Sequence, residues 1–190
     1  MNKSIKLVGV GGQGTILAAK VLSTAFINAG YDVKMSEIHG MSQRGGSVSS
    51  EIRYGDEVYS PVIEKGHADL LVAFEQMEAA RYIDYLKPNG TLIVNDYQIQ
   101  SMVTLSGKVP YPKGIVDQLK NQVNTIVLDA HAIAESLGNA KVMNIVMLGA
   151  MSQLFDEPLD FETAIRDNVK PKFLKLNLEA FQQGLHHHTL

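Results

Sequence analysis

The stretch Ile5-Lys6-Leu7-Val8-Gly9-Val10-Gly11-Gly12-Gln13-Gly14 decides the fold, because an apolar run ends abruptly in four glycines. It is followed by Ile16, Leu17, Ala19, Val21, Leu22, Ala25 and Phe26, an apolar set at helical spacing that stops at Gly30. The pattern predicts a buried strand over residues 5–10, a tight turn, and a helix over 15–29. Gly9, Gly11 and Gly14 satisfy G-x-G-x-x-G in the strand-to-helix context that gives the pattern meaning. Without side chains the backbone can approach a phosphate or carboxylate, and the amides opening the helix favour negative charge. The same glycines would also serve a purely structural turn that lets helix and strand pack closely.

Outward from this unit, β-branched segments alternate with helical ones, as in an α/β domain with a largely parallel sheet. Strands are expected at residues 31–36, 69–74, 91–95 and 124–128, with helices at 75–86 and 115–121. Lys87-Pro88-Asn89-Gly90 reads as a turn, and Gly55-Asp56 as the tip of a β-hairpin between strands at 48–54 and 57–61. Beyond Ala130 the signals are helical: 130–137, 140–155, 161–168 and 171–183. The expected fold is therefore α/β: a three-layer αβα single domain, Rossmann-like, with a mostly parallel but mixed sheet, an inserted β-hairpin and a helical C-terminal part. Residues 1–184 form the domain and 185–190, with the His186-His187-His188 run, a tail.

Composition limits the chemistry. The 190 residues are 45% hydrophobic and 19% charged, enough for an ordinary single core. Lys and Arg total 17 against 20 Asp and Glu, a balance of −3, which gives no electrostatic reason to expect nucleic acid or an anionic membrane as partner. With no cysteine, the chain cannot hold an iron–sulfur cluster on thiolates, attack with a thiol or build a cysteine zinc site. His39, His67 and His131 are too scattered to predict a metal site, so no metal ligand and no catalytic residue is assigned. Neither a secretory leader nor a membrane-length apolar stretch is visible, so a cytoplasmic location is expected.

The second informative stretch is Glu37-Ile38-His39-Gly40-Met41-Ser42-Gln43-Arg44-Gly45-Gly46-Ser47. An arginine among small polar residues presents a fork suited to a carboxylate or phosphate; equally, it could pair with Glu37 or Glu51 in a solvated loop. Glu37 is also the one acidic residue placed to hold a nucleotide ribose. The apolar helix around residues 142–151 reads as core, or as a face buried against another subunit.

The Gly9–Gly14 turn, the 37–47 stretch and Lys65-Gly66-His67-Ala68-Asp69 running into Leu70-Leu71-Val72-Ala73-Phe74-Glu75 carry a resemblance. The chain resembles, over nearly its whole length, the gamma domain of the 2-oxoacid:ferredoxin oxidoreductases, and in size it is similar to the free-standing small subunit of members acting on aryl pyruvates such as indolepyruvate. The resemblance implies an assembly that decarboxylates a 2-oxoacid on thiamine diphosphate with magnesium, passes electrons through iron–sulfur clusters to ferredoxin, and transfers the acyl group to coenzyme A. It implies that this chain binds no cofactor alone, that a large partner subunit carries thiamine and clusters, and that the chain is inactive by itself. The positions matching the family's binding loops are Gly9, Gly11, Gly12, Gln13, Gly14, Ser42, Gln43 and Arg44, as substrate or coenzyme A contacts. Two other readings stand beside it: a self-sufficient NAD- or flavin-dependent oxidoreductase with Glu37 on the ribose, and an assembly module whose loops touch no ligand.

Overall fold

The computed structural model describes residues 2–39, 45–107 and 109–187. Among these, six strands form in chain order: β1 (Lys3–Val10), β2 (Asp32–His39), β3 (Ser47–Gly55), β4 (Ala68–Ala73), β5 (Leu86–Asn95) and β6 (Asn124–Leu128). They make one sheet in the order β2-β3-β1-β4-β5-β6. β1, β4, β5 and β6 run parallel, while β3 is antiparallel to both its neighbours, β1 and β2. The helices are α1 (Thr15–Asn28), α2 (Gln76–Tyr82), α3 (Met102–Leu105), α4 (Ile115–Gln122), α5 (Ala130–Ser136), α6 (Met143–Ser152), α7 (Phe161–Asn168) and α8 (Leu174–His186).

Alternation along the strands sends side chains to two cores. Ile5, Leu7, Ile52, Leu70 and Val72 face one side, where they meet α1 and the C-terminal helices α5 to α8. Val8, Leu71, Ala73, Leu92 and Val94 face the other, under Ala79 of α2 and Ile115 and Leu119 of α4. This is the expected three-layer arrangement. Helix α6 is buried from Met143 to Met151 against α1, α5 and α8, so its apolar surface is core. α6 and α8 cross at glycines: a Cβ on Gly149 would lie 2.2 Å from the Phe181 carbonyl oxygen, and one on Gly184 2.0 Å from that of Val146. α8 continues through His186, with Leu185 against the core, so regular structure extends two residues into the stretch expected to be a tail.

Three local expectations are corrected. The hairpin is built from β2 and β3, with residues 40–46 between them, and residues 57–61 form no strand. The reason is that β3 has two edges and both are taken, by β1 and β2, so β3 has no edge left to form the expected hairpin with residues 57–61. Instead the Val58 amide donates to Asp32 Oδ2 at 2.8 Å, and the Arg53 guanidinium donates to the Ser60 carbonyl at 3.2 Å. The turn expected at residues 87–90 becomes a bulge at the start of β5: Asn89 takes φ 63°, and pairing with β4 skips from Ala68–Leu86 to Leu70–Thr91. The long helices expected at 140–155 and 171–183 each open with a 3-10 turn, Ala140–Val142 and Pro171–Phe173, and the first ends at Ser152.

Candidate functional site

The parallel strands end where an open α/β sheet places its ligands, in the crevice outside their carboxyl ends where successive helices pass to opposite faces. Here α1 leaves β1 for one face and α2 leaves β4 for the other. The glycine turn occupies that point.

The glycines of the turn have different work. A Cβ on Gly9 would lie 2.9 Å from Gln13 Oε1 and 3.1 Å from Phe74 Cβ, so Gly9 permits close packing. Gly14 caps α1 in a left-handed conformation, φ 79°, where a Cβ would meet Asn144 Nδ2 at 2.6 Å; that nitrogen donates to the Gly14 carbonyl at 3.0 Å. Gly12, at φ 104°, has open space around it. With no side chain capping α1, the amides of its first turn have no acceptor within the helix, and their partial positive charge opens beside Gly12.

Gln13 is nearly buried and both ends of its amide are committed. Its Oε1 accepts from the Val10 amide at 2.7 Å and its Nε2 donates to the Phe74 carbonyl at 2.8 Å, which ties the end of β1 to the end of β4. Fully buried Asn95 extends the tie: its Nδ2 donates to the same Phe74 carbonyl at 3.2 Å, and its Oδ1 accepts from the Ala130 amide at 2.9 Å, opening α5. Two amide side chains thus fix four chain ends around the crevice.

The β2–β3 loop comes back onto the glycine turn. The Gly11 amide donates to the Gly46 carbonyl at 2.8 Å, and the Gly45 amide donates to the Gly11 carbonyl at 3.4 Å. Ser42, Gln43 and Arg44 lie outside the described residues; the residue after Arg44 is the one bonded to Gly11. Gly9, Gly11, Gly12, Gln13 and Gly14 are therefore together with the end of the arginine loop in one place.

Two carboxylates on the α2 side of the loop exit, Glu75 and Glu78, escaped sequence reasoning. Ser47 Oγ donates to Glu78 Oε2 and lies 3.2 Å from the Tyr82 hydroxyl, while Glu78 Oε1 accepts from Arg81 Nε at 3.1 Å. Buried Glu75 caps α2: its Oε2 accepts from the Glu78 amide at 2.9 Å, and its Oε1 accepts from the Ile99 amide at 3.1 Å and from the Tyr111 hydroxyl. Burial, then this bond to Glu75, hold the Tyr111 phenol well above the ordinary tyrosine range. The only hint in sequence was Glu75 standing directly after an apolar strand, where a helix cap belongs. Asn144 had a clearer signal, a lone amide in an otherwise apolar helix.

Glu37 does not reach the crevice as a ribose ligand would. In a dinucleotide site the acidic residue ends a strand lying directly beside the first. Here β3 stands between β1 and β2, which sets Glu37 two strand spacings away, about 9–10 Å from the line of β1.

The chain matches the pyruvate ferredoxin/flavodoxin oxidoreductase family over residues 4–187. It is 39% identical to indolepyruvate oxidoreductase subunit IorB of Thermococcus kodakarensis, across 96% of this chain and 94% of that one. It is 31% identical to 2-oxoglutarate synthase subunit KorC of Methanothermobacter marburgensis, across 97% and 95% of the two chains. The crystal structure of the keto/oxoacid ferredoxin oxidoreductase gamma subunit from Geobacter sulfurreducens PCA superposes with a TM-score of 0.73 at 30% identity, covering 97% of this chain and 94% of that one. The fold, the glycine turn and these likenesses agree, and the chain belongs to the pyruvate ferredoxin/flavodoxin oxidoreductase family.

Proposed function

We propose that the chain is the small subunit of a 2-oxoacid:ferredoxin oxidoreductase acting on an aryl pyruvate such as indolepyruvate, and that its two joined loops seat an anionic group of substrate or coenzyme A. The single observation that carries the site is the pair of backbone bonds between Gly11 and Gly45–Gly46, which brings the arginine loop to the glycine turn. The open ground beside Gly12 and the amides opening α1 supply donors, and Arg44 supplies the cation. Gly9, Gln13 and Gly14 shape this seat from behind, and Ser42 and Gln43 are its further candidate contacts by likeness to the family's binding loops.

Thiamine diphosphate, magnesium and iron–sulfur clusters belong on a large partner subunit, which delivers electrons to ferredoxin in the cytoplasm; a chain without cysteine cannot hold the clusters on thiolates. Thiamine supplies the carbanion chemistry of decarboxylation, and this chain closes the site against it. The self-sufficient nucleotide enzyme is disfavoured by the strand that separates Glu37 from the glycine turn.

The test is Arg44→Ala in the reconstituted complex. The expected result is a raised KM for coenzyme A or the 2-oxoacid with the complex intact. Dissociation of the complex instead would assign the loops to assembly, and 2-oxoacid oxidation by the isolated chain would overturn the subunit reading altogether.

A further inference from the structure

At the opposite end of the sheet, residues 57–66 cross the open face without forming helix or strand, yet they are fastened at almost every step. Asn2 Nδ2 donates to the Glu57 carbonyl at 2.8 Å, the Val58 amide to Asp32 at 2.8 Å, the Ile63 amide to Glu51 Oε2 at 3.2 Å, and the Gly66 amide to the Asp84 carbonyl at 2.8 Å. Val58 and Ile63 are buried beneath the strap. Glu51 is itself held by Lys6 in an ion pair from which both side chains show under 5% of their surface. Fixing an irregular segment this firmly opposes its conformational entropy, and the geometry it preserves is a cavity.

That cavity is about 440 Å³, within the range of small-molecule sites, and its walls include Ser4, Arg53, Val62, Ile63, His67 and Lys87. Its charges are not all balanced. Lys87 is paired with Asp69, whose other oxygen accepts from the Ser4 amide at 2.7 Å, so that pair is closed. Glu64 and His67 are exposed at the rim, the His67 ring bonded to the Lys65 carbonyl at 2.9 Å. Half-buried Arg53 has no carboxylate within ion-pair distance among the described residues; its guanidinium gives one bond, to the Ser60 carbonyl, and Nε is buried with no partner.

We propose that this cavity is a second ligand site, taking a small organic oxyanion, carboxylate or phosphate, on the Arg53 fork with Val62 and Ile63 against its apolar part. Arginine's planar donors match both anions. The site is independent of the glycine turn: Ser4 and Val10 lie at opposite ends of β1, about 20 Å apart at the rise of an extended strand.

The test is calorimetric titration and thermal shift of the isolated subunit and of the reconstituted complex with inorganic phosphate, acetate and succinate, against sodium chloride at equal ionic strength. Saturable binding of at least one anion to both preparations is expected, weakened at least about tenfold by Arg53→Gln. Val62→Trp, a change at an exposed position, fills the cavity and should abolish saturation even if Arg53→Gln fails to fold. All of these titrations are made in Arg44→Ala, where the loop seat has lost its cation, so the anion read is the one held at Arg53. No saturation by any of the three anions, or binding that survives Val62→Trp, would overturn the proposal; binding to the isolated subunit alone would overturn it for the working enzyme.

Discussion

Gln13→Ala separates a side chain that builds the glycine turn from one that touches ligand. The glutamine amide serves two backbone groups, but their fates differ on its removal. The Phe74 carbonyl keeps Asn95 Nδ2 as a donor, whereas the Val10 amide loses its acceptor. An orphaned buried amide costs about 2 kcal/mol, and losing one buried methylene about 0.8 kcal/mol more, a loss of about 3 kcal/mol. For a domain of this size that corresponds to a fall in Tm of about 6–12 °C. Gln13→Glu adds a sign to the test. It keeps an acceptor for Val10 but turns a second oxygen toward the Phe74 carbonyl, so the buried carboxyl should titrate above an exposed glutamate. A raised folded-state pKa gives stability that is full below the unfolded value and lost as pH rises through the folded one. The Gln13→Glu deficit should therefore shrink on acidification toward pH ~4 and widen toward neutrality. Scanning calorimetry of parent and both variants across that range reads the effect. If Gln13→Ala melts within about 2 °C of the parent while KM in the complex rises, the glutamine is a ligand contact and the structural reasoning fails.

Other consequences are open to direct measurement. Ser47→Ala or Glu78→Gln should speed deuterium uptake at Gly45 and Gly46 by loosening the fastening of the loop exit to α2, and Ser47→Thr should restore slow exchange; unchanged uptake would show that the Ser47–Glu78 bond holds nothing. Gly184→Ala should destabilise the fold by about 1–3 kcal/mol in urea despite its better helix propensity, because the new methyl meets the Val146 carbonyl. A midpoint equal to the parent's would mean that the α6–α8 crossing is looser than its geometry. Tyr54 and Tyr111 are both held un-ionised beyond the usual tyrosine range, chiefly by burial and next by Glu157 and Glu75. Their raised pKa values place the corresponding stability below pH ~10, to be lost as pH climbs further. Of the seven tyrosines, these two should resist ultraviolet titration until circular dichroism reports unfolding; complete titration of an intact fold would contradict the assignment.

Much of the framework was readable because it is local. A strand at 124–128 and a helix at 161–168 have the limits expected of them, since apolar periodicity and flanking polar residues act over a few positions. That the two loops belong together came from the family resemblance, because the contact joins Gly11 to Gly45 and Gly46, too far along the chain for any local pattern. What escaped depends on partners far along the chain. Residues 57–61 alternate like a strand, and only the occupancy of both edges of β3 rules out the expected hairpin. Glu75 acquires its meaning from Tyr111, and Glu78 from Ser47, over separations of 36 and 31 residues that no local pattern encodes. Gln13 looked like a contact because a polar side chain among glycines carries the same signature whether it points at ligand or at its own backbone.

The antiparallel seating of β3 also shapes how the protein can be made. By residue 55 the emerging polypeptide already contains β1, α1, β2 and β3, each next to another in the finished structure. These contacts close over modest lengths of chain, so assembly at the ribosome can begin with this quartet. One flank of β1 then waits bare until β4 arrives, an interval in which a chaperone or a premature neighbour would find its opening.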